Sequence, residues 1–179
     1  MLHWLHNVNL KPHMLFNKMY VLKKLPCPPN STLLNRMLRL VQVNVGEMYE
    51  RCRGWGWNTK LKLHELRHPH ARFLIVYRAS DHAFVGFMHY RFDREEHMHE
   101  PMVYIWDLQI ETEFQRQGLG TRLLQYVEQL ARQRERLLLQ LTVFTENRSA
   151  LRFYLRHGFE IATHSPRGED YVILSKRLE

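Results

Sequence analysis

The sequence predicts an α/β domain, a central mixed sheet flanked by helices, on three observations. The stretch Tyr104-Ile105-Trp106-Asp107-Leu108-Gln109-Ile110 is β-branched, aromatic and apolar, with neither Gly nor Pro, as a buried strand is. Past Gly118 the residues Leu119, Leu123, Leu124, Val127, Leu130 and Ala131 take helical spacing, so this strand runs through a glycine-rich turn into a helix. Arg72–Tyr77 and Val85–Phe92 flank a turn and give a hairpin signal, while Leu137–Phe144 is an apolar strand needing cover on both faces.

The elements follow in order. Residues 1–18 show no steady period and are expected to form an N-terminal arm, with one domain over residues 19–179. Met19–Leu25 reads as a first strand, ended by Pro26 and by Pro28-Pro29. Asn30 and Ser31 supply capping side chains for a helix. Its inward face carries Leu33, Leu34, Met37, Leu38, Val41, Val45 and Met48, with a bend expected at the β-branched run before Gly46. In Gly54-Trp55-Gly56-Trp57, Trp55 is expected in the core; Trp57 has two readings, core residue or wall of a binding site. Lys60–Arg67 reads as a short exposed helix or loop. After the hairpin comes an acidic turn, Asp93-Arg94-Glu95-Glu96, which composition alone makes a solvated turn; a receptor for a cationic ligand is the other reading. The helix after the glycine turn ends near Glu135 and the apolar strand follows. Asn147 and Ser149 then cap a short helix through Ala150, Phe153 and Tyr154, stopped at Gly158. Phe159–Ile161 and Tyr171–Leu174 close the sheet.

Composition narrows the function classes. Hydrophobic residues at 45% and aromatics at 12% are those of a globular domain with a substantial core. No apolar run approaches the ~18 residues of a membrane span, and Met1–His6 lacks the basic region and long apolar core of a secretory signal. No membrane partner is expected. Cys27 and Cys52, with no C-x-x-C, read as reduced thiols of an intracellular protein. The net charge of +8 raises nucleic acid as a partner, but the Lys and Arg residues are scattered rather than clustered among aromatics. They read as solvated helix faces and phosphate contacts. His64, His68 and His70 have spacings a metal uses, yet no Cys joins them and Pro69 breaks the element, so no metal is expected.

The turn Gln115-Arg116-Gln117-Gly118-Leu119-Gly120 carries the clearest chemistry. Its two glycines let backbone N–H groups approach a ligand, and a helix N-terminus adds partial positive charge, an arrangement that suits a pyrophosphate. It lacks the third glycine of a dinucleotide fingerprint and the Gly-Lys of a nucleotide P-loop. A helix-capping glycine turn without a ligand is the bland alternative.

What remains, a Gln or Arg two residues before G-x-G after a strand, resembles the acetyl-CoA pyrophosphate loop of the GCN5-related N-acetyltransferases, the GNAT superfamily. Asn147, Ala150, Phe153-Tyr154 and Gly158-Phe159-Glu160 extend the resemblance through the second half. Within the superfamily the closer resemblance is to the NatD branch, N-terminal acetyltransferases selective for histones. It rests on Met48-Tyr49-Glu50, Trp55-Gly56-Trp57, Phe92-Asp93 with Glu95, Leu108-Gln109, Leu141-Thr142-Val143-Phe144, and Gly168-Glu169-Asp170 before Tyr171 and Ile173-Leu174-Ser175. These cover roughly residues 48–178.

The resemblance implies the GNAT fold, a twisted, mostly antiparallel mixed sheet whose strands splay at the acetyl-CoA site. It implies acetyl transfer from acetyl-CoA, without a metal, to the α-amine of proteins beginning Ser-Gly-Arg-Gly, as histones four and two-A do. By position, Trp106, Leu108, Gln109, Ile110, Arg116, Gln117, Gly118, Leu119, Gly120, Thr121, Thr142 and Asn147 would hold the cofactor. Tyr49, Trp57, Asp93, Glu95, Tyr104 and Tyr171 would line the peptide pocket, the two carboxylates taking the substrate Arg as a charge-assisted pair. The partners expected are acetyl-CoA and histone tails. The protein is expected to act as a monomer without a stable auxiliary subunit, in cytoplasm and nucleus.

An α-amine has a pKa near 8, so a neutral fraction is available and a general base need only take one proton, directly or through water. Asp107, on the central strand, is the first choice; since neighbours on a strand alternate, the other reading turns its side chain to the far face. Tyr154 is read as the acid for the departing thiolate, or as a core tyrosine. The branch has Glu at Asp107 and Tyr at Trp106. Asp reaches about one methylene less, which favours a bridging water, and the Trp106 ring nitrogen cannot accept a hydrogen bond. Two alternatives stand beside this reading: a GNAT enzyme with another amine acceptor, and a non-catalytic acyl-CoA- or histone-binding module.

Overall fold

The computed structural model describes residues 13–17, 19–26, 29–96 and 99–179. Eight strands form one sheet: β1 (His13–Asn17), β2 (Tyr20–Pro26), β3 (Arg72–Arg78), β4 (Phe84–Arg94), β5 (Pro101–Ile110), β6 (Leu138–Phe144), β7 (Glu160–Ile161) and β8 (Tyr171–Arg177). Their order is β1-β2-β3-β4-β5-β6-β8-β7. Every neighbouring pair is antiparallel except β5 with β6. The expected hairpin is β3 with β4, and the expected mixed, mostly antiparallel sheet is present.

Two layers of helix cover it. α1 (Ser31–Arg51) and α2 (Thr59–Leu66) lie on one face, where Leu34, Met37, Val41 and Leu66 pack with Phe73, Ile75 and Phe87 of the sheet. α3 (Leu119–Gln133) and α4 (Arg148–Arg156) lie on the other, where Leu123, Leu124, Val127 and Tyr154 meet Leu74, Val85, Met88, Val103, Leu139 and Leu141. Asn30, Asn58 and Asn147 cap α1, α2 and α4, each side-chain oxygen accepting a main-chain N–H three residues on.

Three expectations change. His13–Asn17, within the segment read as an unpatterned arm, is an edge strand whose ladder with β2 carries no apolar alternation to betray it. Trp55 is not in the core: it is 43% exposed, because Gly54 and Gly56, both at positive φ, throw the ring outward at the end of α1. α2 is not simply exposed, since Lys62 and Leu66 are buried. Of the cysteines, Cys52 is a free buried thiol and Cys27 lies outside the described residues.

The feature that positions the site is the divergence of β5 from β6. Their parallel ladder spans only Met102–Ile105 against Leu138–Leu141. Thr142–Phe144 then stay paired with β8, while Asp107–Ile110 stay paired with β4, so the two strands splay apart. Backbone groups on the β6 side of Trp106–Ile110 are left free of any strand, and buried main-chain donors and acceptors require partners.

Candidate active site

A cleft of about 510 Å³ opens at the splay on the α3/α4 face. Leu108, Gln109 and Ile110 of β5 form its floor, and Asn44, Val45 and Met48 of α1 close one end. Arg116 and Gly118–Thr121 contribute the glycine turn, and α4 contributes Ala150, Phe153, Tyr154, Arg156 and His157. Gly118 caps α3 at φ 80°, a conformation that glycine adopts without strain, and so turns the first N–H groups of α3 toward the cleft. Arg116 holds φ 62° beside it. Asn44 fastens the floor, donating to Gln109 Oε1 at 3.0 Å and to the Ile110 carbonyl at 3.2 Å. Helix N–H groups, two guanidinium groups and an apolar floor make a receptor for a pyrophosphate joined to a long, weakly polar arm.

The face opposite carries a buried polar cluster. β5 bulges at Trp106: Asp107 pairs with His89 and Ile105 with Tyr90, leaving Trp106 without an opposite residue. Directly opposed residues share a face, so Ile105 goes with Tyr90 into the α3 core and Asp107 goes with His89 toward α2. Simple alternation would have put Ile105 and Asp107 on the same side. The bulge is what parts them.

Asp107 is 5% exposed. Its Oδ1 lies 3.8 Å from Lys62 Nζ and its Oδ2 lies 3.4 Å from His89 Nδ1. Arg91 Nε donates to His89 Nε2 at 3.4 Å, which leaves Nδ1 as the protonated nitrogen aimed at Asp107. Arg91 also donates to the Glu65 carbonyl at 2.7 Å and stands 4.1 Å over the Trp106 ring. Lys62 pairs with the Glu65 carboxylate. Burial alone would push the Asp107 carboxyl up; the Lys62 ammonium and the His89 and Gln109 hydrogen bonds outweigh it, and the net shift is down. Burial holds His89 below its ordinary range against the pull of Asp107, so it is neutral near pH 7. Tyr154, buried on the cleft side, is pushed well up by desolvation and by the Asp107 charge, and keeps its proton.

The sequence-derived positions divide accordingly. Leu108, Gln109, Ile110, Arg116, Gly118, Leu119, Gly120, Thr121, Asn147 and Tyr154 all line the cleft. Three side chains read as cofactor contacts sit elsewhere. Gln117 turns away to accept from the Tyr20 hydroxyl at 2.6 Å. Trp106 lies on the α2 face beside Tyr104, stacked on His89. Thr142 is on that face too, 2.6 Å from the Tyr104 hydroxyl. Tyr49 and Trp57 stand edge-on to each other, and Trp55 stacks on Tyr171 at 4.7 Å, so these aromatics form one wall around Phe144. Asp93 is exposed at the end of β4, whereas Glu95 is 4% exposed and lies 3.8 Å from His164. Lys62, Glu65, His89 and Arg91 were not singled out; a signal for Lys62 existed, since it lies four residues before the apolar Leu66. Among the described residues no group of three His, Cys, Asp or Glu is placed to hold a metal.

The family model described as "Acetyltransferase (GNAT) family" matches residues 43–159. The chain belongs to the acetyltransferase (GNAT) family. Solved GNAT-like structures agree with the fold. The PaiA N-acetyltransferase of Thermoplasma acidophilum in complex with coenzyme A superposes with a TM-score of 0.65 at 16% identity, covering 89% of this chain and 99% of that one. The ribosomal-protein-S18-alanine N-acetyltransferase of Escherichia coli gives 0.61 at 19%, over 90% and 95%. The NatC complex bound to Gag peptide and CoA gives 0.63 at 14%, over 88% and 99%. As in this family, acetyl-CoA is the co-substrate; Arg116, the N–H groups of Gly118–Thr121 and the floor of Leu108 and Ile110 fit it.

Proposed function

We propose that this chain is an N-terminal acetyltransferase of the NatD type, acetylating the α-amine of proteins that begin Ser-Gly-Arg-Gly, the terminus of histones four and two-A. The observation that carries the reading is the cluster of carboxylates and aromatic rings on the α2 face of a chain of net charge +8. Asp107, Glu65 and Glu95 line or flank it together with Tyr49, Tyr104, Trp57 and Tyr171. A basic protein that displays buried carboxylates beside a gap in its sheet is built to take a cationic acceptor there.

Acetyl-CoA supplies an activated acetyl group on a thioester. Asp107, ionised, accepts the proton that the amine loses, through water because an aspartate is short. Tyr154, protonated, donates to the departing thiolate. Asp93 and Glu95 take the guanidinium of the third residue, and the aromatic wall admits only small residues at the first two positions. The enzyme acts as a monomer, in cytoplasm and nucleus, where newly made and assembled histones are met.

A peptide beginning Ser-Gly-Arg-Gly should gain one acetyl group in mass spectrometry, located on its α-amine, while the same peptide with that amine already blocked stays unmodified. Acetylation of the blocked peptide on a lysine would replace this reading with a side-chain acceptor.

A further inference from the structure

Lys62 belongs to the polar cluster and does not line the cofactor cleft. It sits on α2 with 4% exposure. Its ammonium lies 3.8 Å from Asp107 Oδ1, pairs with Glu65, and stands 5.3 Å from the centroid of the Tyr49 ring. Taking an ammonium and two carboxylates out of water is expensive, and apolar side chains of like volume often fill such places with no loss of stability. A buried lysine that joins the two carboxylates of a reaction pocket therefore has work there beyond packing.

The groups facing Asp107 show what that work is. α1 presents the Tyr49 hydroxyl and α2 presents Lys62 and Glu65. β4 presents His89 with Arg91 behind it, β5 presents Gln109, and Tyr154 of α4 feels the charge from the other face. Arg91 is occupied by His89 and the Glu65 carbonyl. Lys62 is thus the cation within ion-pair reach of both carboxylates. Without it, the buried Asp107 carboxylate loses the ammonium that pairs with it, and burial then favours its protonated form.

We propose that Lys62 is a positioning residue for acetyl transfer: clamped between Glu65 and Asp107 over the Tyr49 ring, its ammonium keeps the Asp107 carboxylate ionised and fixed where it receives the proton. The proposal rests on reading Asp107 as the proton acceptor. Held as an ammonium, Lys62 has no free electron pair and is itself no acceptor for the acetyl group. It also explains how a short aspartate serves: its charge and orientation are set by neighbours and not by reach.

The test is a carbon-13 carboxyl NMR titration of Asp107, its signal assigned by its loss in Asp107→Asn, in the wild type, Lys62→Met and Lys62→Arg. In the wild type the signal stays that of a carboxylate to below the ordinary range. In Lys62→Met it titrates higher by about one pH unit or more, and kcat on the Ser-Gly-Arg-Gly peptide falls about tenfold or more with the Kd for acetyl-CoA unchanged; Lys62→Arg restores most of both. Should Lys62→Met not fold, the double variant Lys62→Met/Glu65→Gln leaves no carboxylate at 65 without its lysine, and because Asp107 still lacks the ammonium its signal is again expected to titrate higher. A folded variant in which Asp107 titrates as in the wild type overturns the proposal. If Asp107 moves as expected but the wild type acetylates no peptide, the clamp stands and the acceptor reading falls.

Discussion

Lys62, His89 and Gln109, from three different elements, set the charge state of Asp107. Each tie has a consequence that can be measured. Asp107→Asn keeps the shape and removes the base, so turnover should fall by about 10²-fold or more while the affinity for acetyl-CoA, bound across the sheet, stays the same. His89 carries the pH prediction. Its folded-state pKa is below the unfolded value, so between the two the unfolded chain binds more protons and stability falls as pH falls. Its contribution is complete above the unfolded value of about 6.5 and drains away below it. Asp107, also lowered, contributes above about pH 4 and loses that contribution as pH falls through its folded value. Melting temperature should therefore drop between about pH 7 and pH 5, and His89→Gln should flatten that slope; an unchanged slope would mean that other histidines carry it. The residue types at 106 and 107 are legible in the sequence, but their direction is not. Strand periodicity has no way to announce a one-residue bulge, and it is the bulge that puts Asp107 on the same side as Trp106, toward α2.

At the scale of elements, the pocket depends on two loops being tied together. Arg53, just past α1, donates from its backbone N and its Nε to Asp170 Oδ2 at 3.0 and 2.9 Å, and from Nη2 to the Gly168 carbonyl at 2.7 Å. This holds the loop between β7 and β8 against the Trp55 turn, whose ring then stacks on Tyr171. Both side chains of the pair are well solvated, so the tie adds little to global stability. Asp170→Ala should thus raise the KM for peptide several-fold and leave the melting temperature and acetyl-CoA affinity nearly unchanged. An equal loss of acetyl-CoA affinity would place the loop at the other cleft. Helices and strands with strong periods, such as α3 and β6, were legible residue by residue. α2 was not, because its inward row mixes Leu66 with a lysine, and a buried lysine reads as a surface one until Asp107, its partner far along the chain, is found beside it. Trp55 misled for a related reason: a large ring between two glycines has the composition of a core residue and the backbone of a turn.

For the whole molecule, the sheet is a partition. The cleft that fits acetyl-CoA opens where β5 parts from β6, against α3 and α4, and the cluster of carboxylates and aromatic rings lies on the α2 side. That plan was accessible from the sequence because its parts are local: a strand, a glycine turn, a capped helix and an apolar strand in fixed order. Which side chains face which pocket was not, since it follows from the register between strands distant in sequence. The basic surface and the acidic pocket also separate at this scale. The net charge of +8 is no guide to the acceptor, because it hides the local acidic cluster in which Glu95 and Asp107 are buried and Asp93 is exposed.

Asp93 and Glu95 are proposed to bind the arginine of the acceptor. The most direct measurement is CoA release with acetyl-CoA and two peptides, one beginning Ser-Gly-Arg-Gly and one with that Arg replaced by Ala. The account predicts strong turnover on the first and a kcat/KM lower by about tenfold or more on the second, since a lost charge-assisted pair costs about 1.5–3 kcal/mol. Equal turnover on both would contradict it, leaving an acetyltransferase whose acidic pocket does not read arginine.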